Sequence, residues 1–191
     1  VIYLVVYSHP RSDSFTHALV ERIAATLGDE GHGVHCHDLY AEHFQPVLEN
    51  EEIRRRFSFD DLVTQHTREL REAAGLILVY PDWWGMPPAI LKGWIDRILR
   101  PGVAFDYRGP EFLHKHLVPL LTDKKGLVIS TTDETNPLSQ DAMNTIWRER
   151  VFEYVGIRSV SFKTFYGVRE STLRDRREWL LEAEELVLRW L

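Results

Sequence analysis

Gly75-Leu76-Ile77-Leu78-Val79-Tyr80-Pro81-Asp82-Trp83-Trp84-Gly85-Met86-Pro87-Pro88-Ala89-Ile90-Leu91-Lys92-Gly93-Trp94-Ile95-Asp96-Arg97 is the stretch on which the fold turns. Its opening apolar run is long enough for a buried strand and too short for a helix. From Pro88 to Leu99, residues Leu91, Trp94, Ile95 and Ile98 form the stripe of an amphipathic helix. The prolines suit its first turn and stiffen the loop before it. At the carboxyl end of a parallel strand, such a loop sits where open α/β sheets bind planar ligands. A flat heteroaromatic ring is the leading candidate for what Trp83 and Trp84 cover. The alternative is that they anchor the core or a subunit interface.

The same strand-then-helix alternation extends to both sides. Residues 1–7 are apolar and β-branched, and a turn-rich loop follows at Ser8-His9-Pro10-Arg11-Ser12-Asp13. A helix is expected from near Ser14, carrying Phe15, Leu19, Ile23 and Leu27, to Gly28 or Gly31-His32-Gly33. Val34–Leu39 reads as a second strand, with Val34, Cys36 and Asp38 on one side. Residues 49–74 are charged and helix-prone, with a break near Ser58 or Asp60. Leu127–Thr132 is the fourth strand, a helix near 140–155 stops before Gly156, and Val160–Tyr166 is the fifth strand. The last helix begins near Ser171. Five strands separated by helices predict an α/β, doubly wound parallel sheet of order 2-1-3-4-5, with helices on both faces. Its switch point lies between strands 1 and 3, so loops 8–16, 81–87 and 131–137 meet at one rim.

With 191 residues and no linker or repeat, the chain is expected to be a single domain over 1–191. No apolar run reaches the length of a membrane span, and Val1–Tyr7 lacks the basic flank of a signal peptide. The single cysteine, Cys36, fits a reducing compartment, so a cytoplasmic location is expected. A net charge of −6 argues against a nucleic-acid surface.

The first loop feeds a helix amino terminus, whose free N–H groups and dipole favour a phosphate. Ser12, Ser14 and Thr16 add hydroxyls, while His9 and Arg11 add positive charge. It contains neither a Walker loop nor GxGxxG. Read blandly, Ser14 is simply an N-cap. The third loop, Thr131-Thr132-Asp133-Glu134-Thr135-Asn136-Pro137, supplies N–H groups and hydroxyls that suit the polar edge of a ring and can tune its electron affinity.

His35 and His37 share one strand face, and His114 and His116 have the same spacing. Without a third ligand in a recognisable pattern, no metal is expected, and surface histidines explain both pairs. Cys36 is expected to be buried and Arg54-Arg55-Arg56 to lie on a solvated helix.

On these residues the chain resembles the NAD(P)H:quinone oxidoreductase family, of flavodoxin-like fold. Pro81, Trp84, Pro88 and the run Ala89-Ile90-Leu91-Lys92-Gly93-Trp94 look like its flavin loop and the helix behind it. His9, Ser14, Phe15 and Thr16 resemble its phosphate-side motif, and Thr131-Thr132 resembles the Thr-Thr before its flavin-edge loop. Val103-Ala104-Phe105-Asp106-Tyr107 is similar to a segment that the family places over the flavin, which implies substrate contact by Phe105 and Tyr107, with simple packing as the other reading of these two rings.

The resemblance implies a flavin, FMN by chain length or else FAD, with NAD(P)H as co-substrate. Two-electron ping-pong hydride transfer to a quinone-like acceptor is the expected reaction. It further implies a homodimer with the site at the subunit interface. His9, Ser14, Phe15, Thr16, Pro81, Asp82, Trp83, Trp84, Gly85, Thr131, Thr132, Asp133 and Glu134 are then the expected flavin contacts. No side chain stands out as catalytic. Rival readings are an azo- or nitro-reductase, a flavodoxin-type electron carrier and a transporter-regulating subunit. Asp133-Glu134 stands where the family commonly has Gly-Gly. Either that carboxylate lowers the flavin potential, or Asp133 turns away and caps its loop.

Overall fold

A computed structural model describes residues 1–109, 116–135 and 140–191. Strands β1 (Ile2–Tyr7), β2 (Gly33–Asp38) and β3 (Gly75–Pro81) alternate with helices α1 (Phe15–Asp29), α2 (Asn50–Arg55) and α3 (Asp61–Glu72). After α4 (Ala89–Ile98) come β4 (Phe105–Arg108), β5 (His116–Pro119), β6 (Lys125–Thr131), α5 (Gln140–Thr145), α6 (Glu153–Val155), β7 (Ser159–Phe165) and α7 (Leu173–Trp190). The five long strands pair in parallel in the order β2-β1-β3-β6-β7, the arrangement expected from the apolar runs.

Every residue of β3 is buried, as the central strand of a sheet covered on both faces requires. Alternate side chains go to opposite layers. Leu4, Leu76, Leu78 and Val128 pack with Leu70, Trp94 and Trp147 on one face. Val5, Ile77, Leu127 and Ile129 pack with Leu19, Ile23 and Val187 on the other.

Ser14 is the α1 N-cap, and α1 terminates where Gly31 takes a left-handed φ of 76°. Asp60 caps α3 by accepting from Leu62 and Val63 N–H, so the chain breaks between α2 and α3 as expected. Pro88 precedes α4. Gly93 lets that helix approach the 45–60 segment, because a Cβ there would lie 2.2 Å from the Pro46 carbonyl oxygen. Beside it the buried Arg97 donates to Glu52 at 2.9 Å, to the Gln45 carbonyl at 2.6 Å and to Asp60 at 3.0 Å.

Three features depart from expectation. Phe105–Arg108 pairs antiparallel with His116–Pro119 in a ribbon outside the main sheet. The helix at 140–155 contains a seven-residue π-helical stretch, Ile146–Phe152, before Gly156 ends it at a φ of 101°. Cys36 is exposed on the edge strand while His37 is buried, because α3 presents His66 and Glu69 to that strand. His114, Asn136 and Pro137 lie outside the described residues.

Candidate active site

The carboxyl ends of β1, β3, β6 and β7 surround one cavity of about 570 Å³, within the size range of cofactor clefts. Ser8 N–H donates to the Val79 carbonyl at 3.2 Å, keeping the chain on the sheet as the first loop begins. His9 Nδ1 accepts from Arg11 N–H at 3.1 Å. Burial holds the His9 pKa below the usual imidazole value, consistent with a neutral acceptor. Ser14 Oγ accepts from His17 N–H at 3.2 Å. Phe15 and Thr16, in the first turn of α1, reach the cavity wall with N–H groups that have no intrahelical acceptor. The Phe15 ring packs on Phe165 and Trp179.

The first and third loops are joined by Thr16 Oγ1 and Thr131 Oγ1, both buried and 3.2 Å apart. Asp82 N–H donates to the Thr131 carbonyl at 2.7 Å, joining the second loop to them. Trp83 and Met86 then exchange backbone hydrogen bonds of 2.9 and 3.2 Å across Trp84-Gly85. Those two residues have φ of 62° and 74°, the pair of positive values a type I′ turn demands. Trp83 walls the cavity, with its ring 6.5 Å from that of His9. Trp84 is fully exposed at the hairpin tip.

The third loop is stitched to the segment after β7. Val168 N–H donates to the Thr132 carbonyl and Gly167 N–H to that of Glu134, both at 3.0 Å. Asp133 Oδ1 accepts from Arg169 N–H at 2.9 Å, which matches the loop-capping one of the two roles weighed for it, although the residue also lines the cavity.

The cavity therefore gathers His9, Ser14, Phe15, Thr16, Pro81, Asp82, Trp83 and Thr131 to Glu134. Trp84, Gly85, Phe105 and Tyr107 are not among its walls. Phe105 and Tyr107 instead make an aromatic cluster with Tyr154, whose hydroxyl is 2.9 Å from that of Tyr107. Sequence reasoning missed Val168 and Arg169, which wall the cavity from a fourth loop, and Arg176, which walls it from the first turn of α7. The signal was present: this loop follows a fifth parallel strand and must emerge at the same rim.

A second polar cluster lies beneath β2. His37, Glu42 and His66 hold three ligand-type atoms within 4.8 Å of one another. Their hydrogen bonds favour a different use. His66 Nδ1 accepts from Trp94 Nε1–H at 2.8 Å, which leaves the imidazole proton on Nε2. His37 places its two nitrogens on Glu42, at 2.7 Å, and on Glu69, the pattern of an imidazolium between carboxylates. Burial opposes that charge, but Glu42 and Glu69 outweigh it and raise the His37 pKa. Burial opposes the Glu42 charge as well, but His37 and His66 outweigh it and pull the carboxyl down to about 2.

A family model described as flavodoxin-like fold matches residues 3–187. The chain belongs to that family. An uncharacterised NAD(P)H oxidoreductase of Haemophilus influenzae is 31% identical over 172 residues, spanning 85% of this chain and 82% of that protein. A ribosyldihydronicotinamide dehydrogenase [quinone] of Mus musculus is 26% identical over 201 residues, spanning 93% and 86%. Human and orangutan proteins of that name are 32% identical over 125 residues, and there the match spans only 54% of the relative. Among solved structures, an NAD(P)H:quinone oxidoreductase of Methanothermobacter marburgensis superposes with a TM-score of 0.81 at 24% identity, covering 97% and 94%. An FMN-dependent NADH-azoreductase of Bacillus anthracis, in complex with FMN, gives 0.75 at 17% identity, covering 99% of both chains. At these identities the superpositions establish the shared fold.

Proposed function

We propose that this flavodoxin-like chain is a flavin-dependent NAD(P)H oxidoreductase that passes two electrons, by ping-pong hydride transfer, to quinones or similar acceptors. The observation that carries the reading is the meeting of three sequence-distant loops around one cavity: the α1 amino terminus, the Trp83 wall and the Thr131–Glu134 backbone. These parts fit the three portions of a flavin mononucleotide. The N–H groups of Phe15 and Thr16, with the positive end of α1, suit a phosphate, and Arg11 adds charge beside them. Trp83 and the backbone of Pro81-Asp82 offer a wall for the ring, and Thr132 to Glu134 supply polar groups for its edge. Relatives named as NAD(P)H oxidoreductases and a fold neighbour holding FMN support the same reading.

A bound flavin supplies the hydride acceptor and donor. The chain's own task is to bind, orient and exclude water, and positioning alone supplies much of such a rate enhancement. The exposed Trp84 is assigned to the cover of the site, contributed across a homodimer interface. FMN is favoured over FAD because the cavity suits one nucleotide.

The visible spectrum of the purified protein, followed by chromatography of the released chromophore, tests the cofactor. Anaerobic stopped-flow mixing with NADPH tests the mechanism: flavin bleaching without acceptor is expected, and its absence defeats the ping-pong scheme. Initial rates with benzoquinone, an azo dye and a nitroaromatic then rank the acceptors.

A further inference from the structure

The segment 45–60 straps the outer side of α4. Pro46 lies on Gly93, and Arg97 holds the Gln45 carbonyl, Glu52 and Asp60 from beneath. Those contacts engage polar groups of the strap and leave its apolar ones outside. Ile53 is 64% and Phe59 77% exposed, and Val47, Leu48 and Phe57 are exposed as well. The Phe57 and Phe59 rings meet edge to face at 4.9 Å and still face water.

The apolar surface continues along α4. That helix follows the hairpin whose Trp83, Trp84 and Met86 are exposed, and Pro88 stands five residues, about 8 Å, before Gly93. The strap and the hairpin therefore share one face. Among the described residues, the opposite layer of α1 and α7 exposes only Leu173, Leu181 and Leu188 of its large apolar side chains, all on α7. At about 150–250 Å² for a fully exposed large side chain, the strap and hairpin present roughly 900 Å² of apolar surface. A typical monomer keeps its largest such patch at about 300–600 Å², and a standard interface takes about 800 Å² from each partner.

Charge identifies the occupant. Helix α2 opens on Glu51 and Glu52 and closes on Arg54 and Arg55. Glu52 turns inward to Arg97, and Ile53 is exposed midway between Glu51 and Arg55. Two copies laid antiparallel through Ile53 bring Glu51 of each opposite Arg55 of the other, the self-complementarity that a two-fold contact requires. Within one copy these two residues already pair at 2.8 Å, both half exposed, so the contact closes a network of four charges.

We infer that a second copy of this chain docks on the α4 face, strap against strap about a two-fold axis at Ile53, which rests on the homodimeric reading of the flavin site and names the surface that builds it. Trp83 of the same face walls the rim cavity, so the docked copy borders the mouth of that cavity. Ile53 and Phe59 are not among the described walls of the cavity.

Sedimentation equilibrium of the full chain, without and with FMN, measures the association. A dimer is expected in both, with its dissociation constant raised at least about tenfold by Ile53→Asp and by Phe59→Asp. Leu181→Asp, on the α7 side, should leave it unchanged. All three positions are exposed, so the variants keep the fold, which circular dichroism verifies. Glu51→Arg and Arg55→Glu should each weaken the dimer. An equimolar mixture of those two should restore it, since the mixed pair places opposite charges across the axis. A monomeric native chain, a dimer indifferent to both strap variants, or no recovery on mixing overturns the inference. A dimer that obeys the strap variants but takes up no FMN upholds this face and counts against the flavin instead.

Discussion

The Asp133 carboxylate accepts the backbone N–H of Arg169 at 2.9 Å, and the Arg169 guanidinium Nε lies 3.9 Å from its other oxygen. A residue that departs from the family's usual glycine thereby ties the loop after β6 to the loop after β7. Its charge is shared with a cation rather than presented alone to the cavity.

Asp133→Asn retains an oxygen that can accept the Arg169 N–H, and removes the charge. The flavin midpoint potential is expected to move by less than about 30 mV, a small change for a two-electron couple. Asp133→Ala removes the bond as well, and should weaken flavin binding severalfold in a fluorescence titration. A large potential shift in Asp133→Asn would restore the other role weighed for this carboxylate.

Trp84 occupies a left-handed conformation that bulky residues rarely adopt, and no contact in the monomer covers it. Trp84→Asn creates the Asn-Gly pair that type I′ turns prefer. The monomer should gain about 1 kcal/mol, a rise in melting temperature of roughly 2–4 °C. Self-association, read by sedimentation, should weaken in the same variant. A melting temperature that falls would show that Trp84 stabilises the isolated chain.

Arg97→Met strands Glu52 in the interior without its partner. Removing one member of a buried pair typically costs about 3–5 kcal/mol, and chemical denaturation should register a loss of that size. Gly93→Ala should also destabilise, by about 2 kcal/mol or more, because the Pro46 backbone cannot yield to the added methyl.

The cluster under β2 sets a pH window. The folded His37 pKa lies above the unfolded value of about 6.5, so its contribution is complete below that pH and is lost as pH rises through the folded value. Glu42, lowered to about 2, contributes above its unfolded value of about 4.5, and that contribution is lost as pH falls toward 2. Both contributions are full only between roughly pH 4.5 and 6.5. Denaturation curves across pH should show this maximum, and His37→Gln should flatten it.

The sheet order was legible because each buried strand is an apolar run bounded by glycine or a polar loop, as Gly75–Tyr80 illustrates. The rim loops followed from topology, so His9, Ser14 and Thr131 could be grouped before any coordinates. The inward turn of His37 could not, since strand alternation says which residues share a side but not what a distant helix brings to it. His66 and Glu69 complete that environment from about 30 residues away in sequence. Arg97 was opaque for the same reason: its partners are tertiary facts. The ribbon of β4 and β5 escaped notice because four residues carry too little periodicity to declare a strand.

Strand β2 is at the border of the sheet, where amides ordinarily fray and exchange with solvent early. His37 fastens it from within, since peeling that strand away would separate an imidazolium from two carboxylates seated on the helix layer and its approach. The border is thus riveted rather than zipped. The amides that β2 donates to β1 should therefore exchange more slowly in the native chain than in His37→Gln.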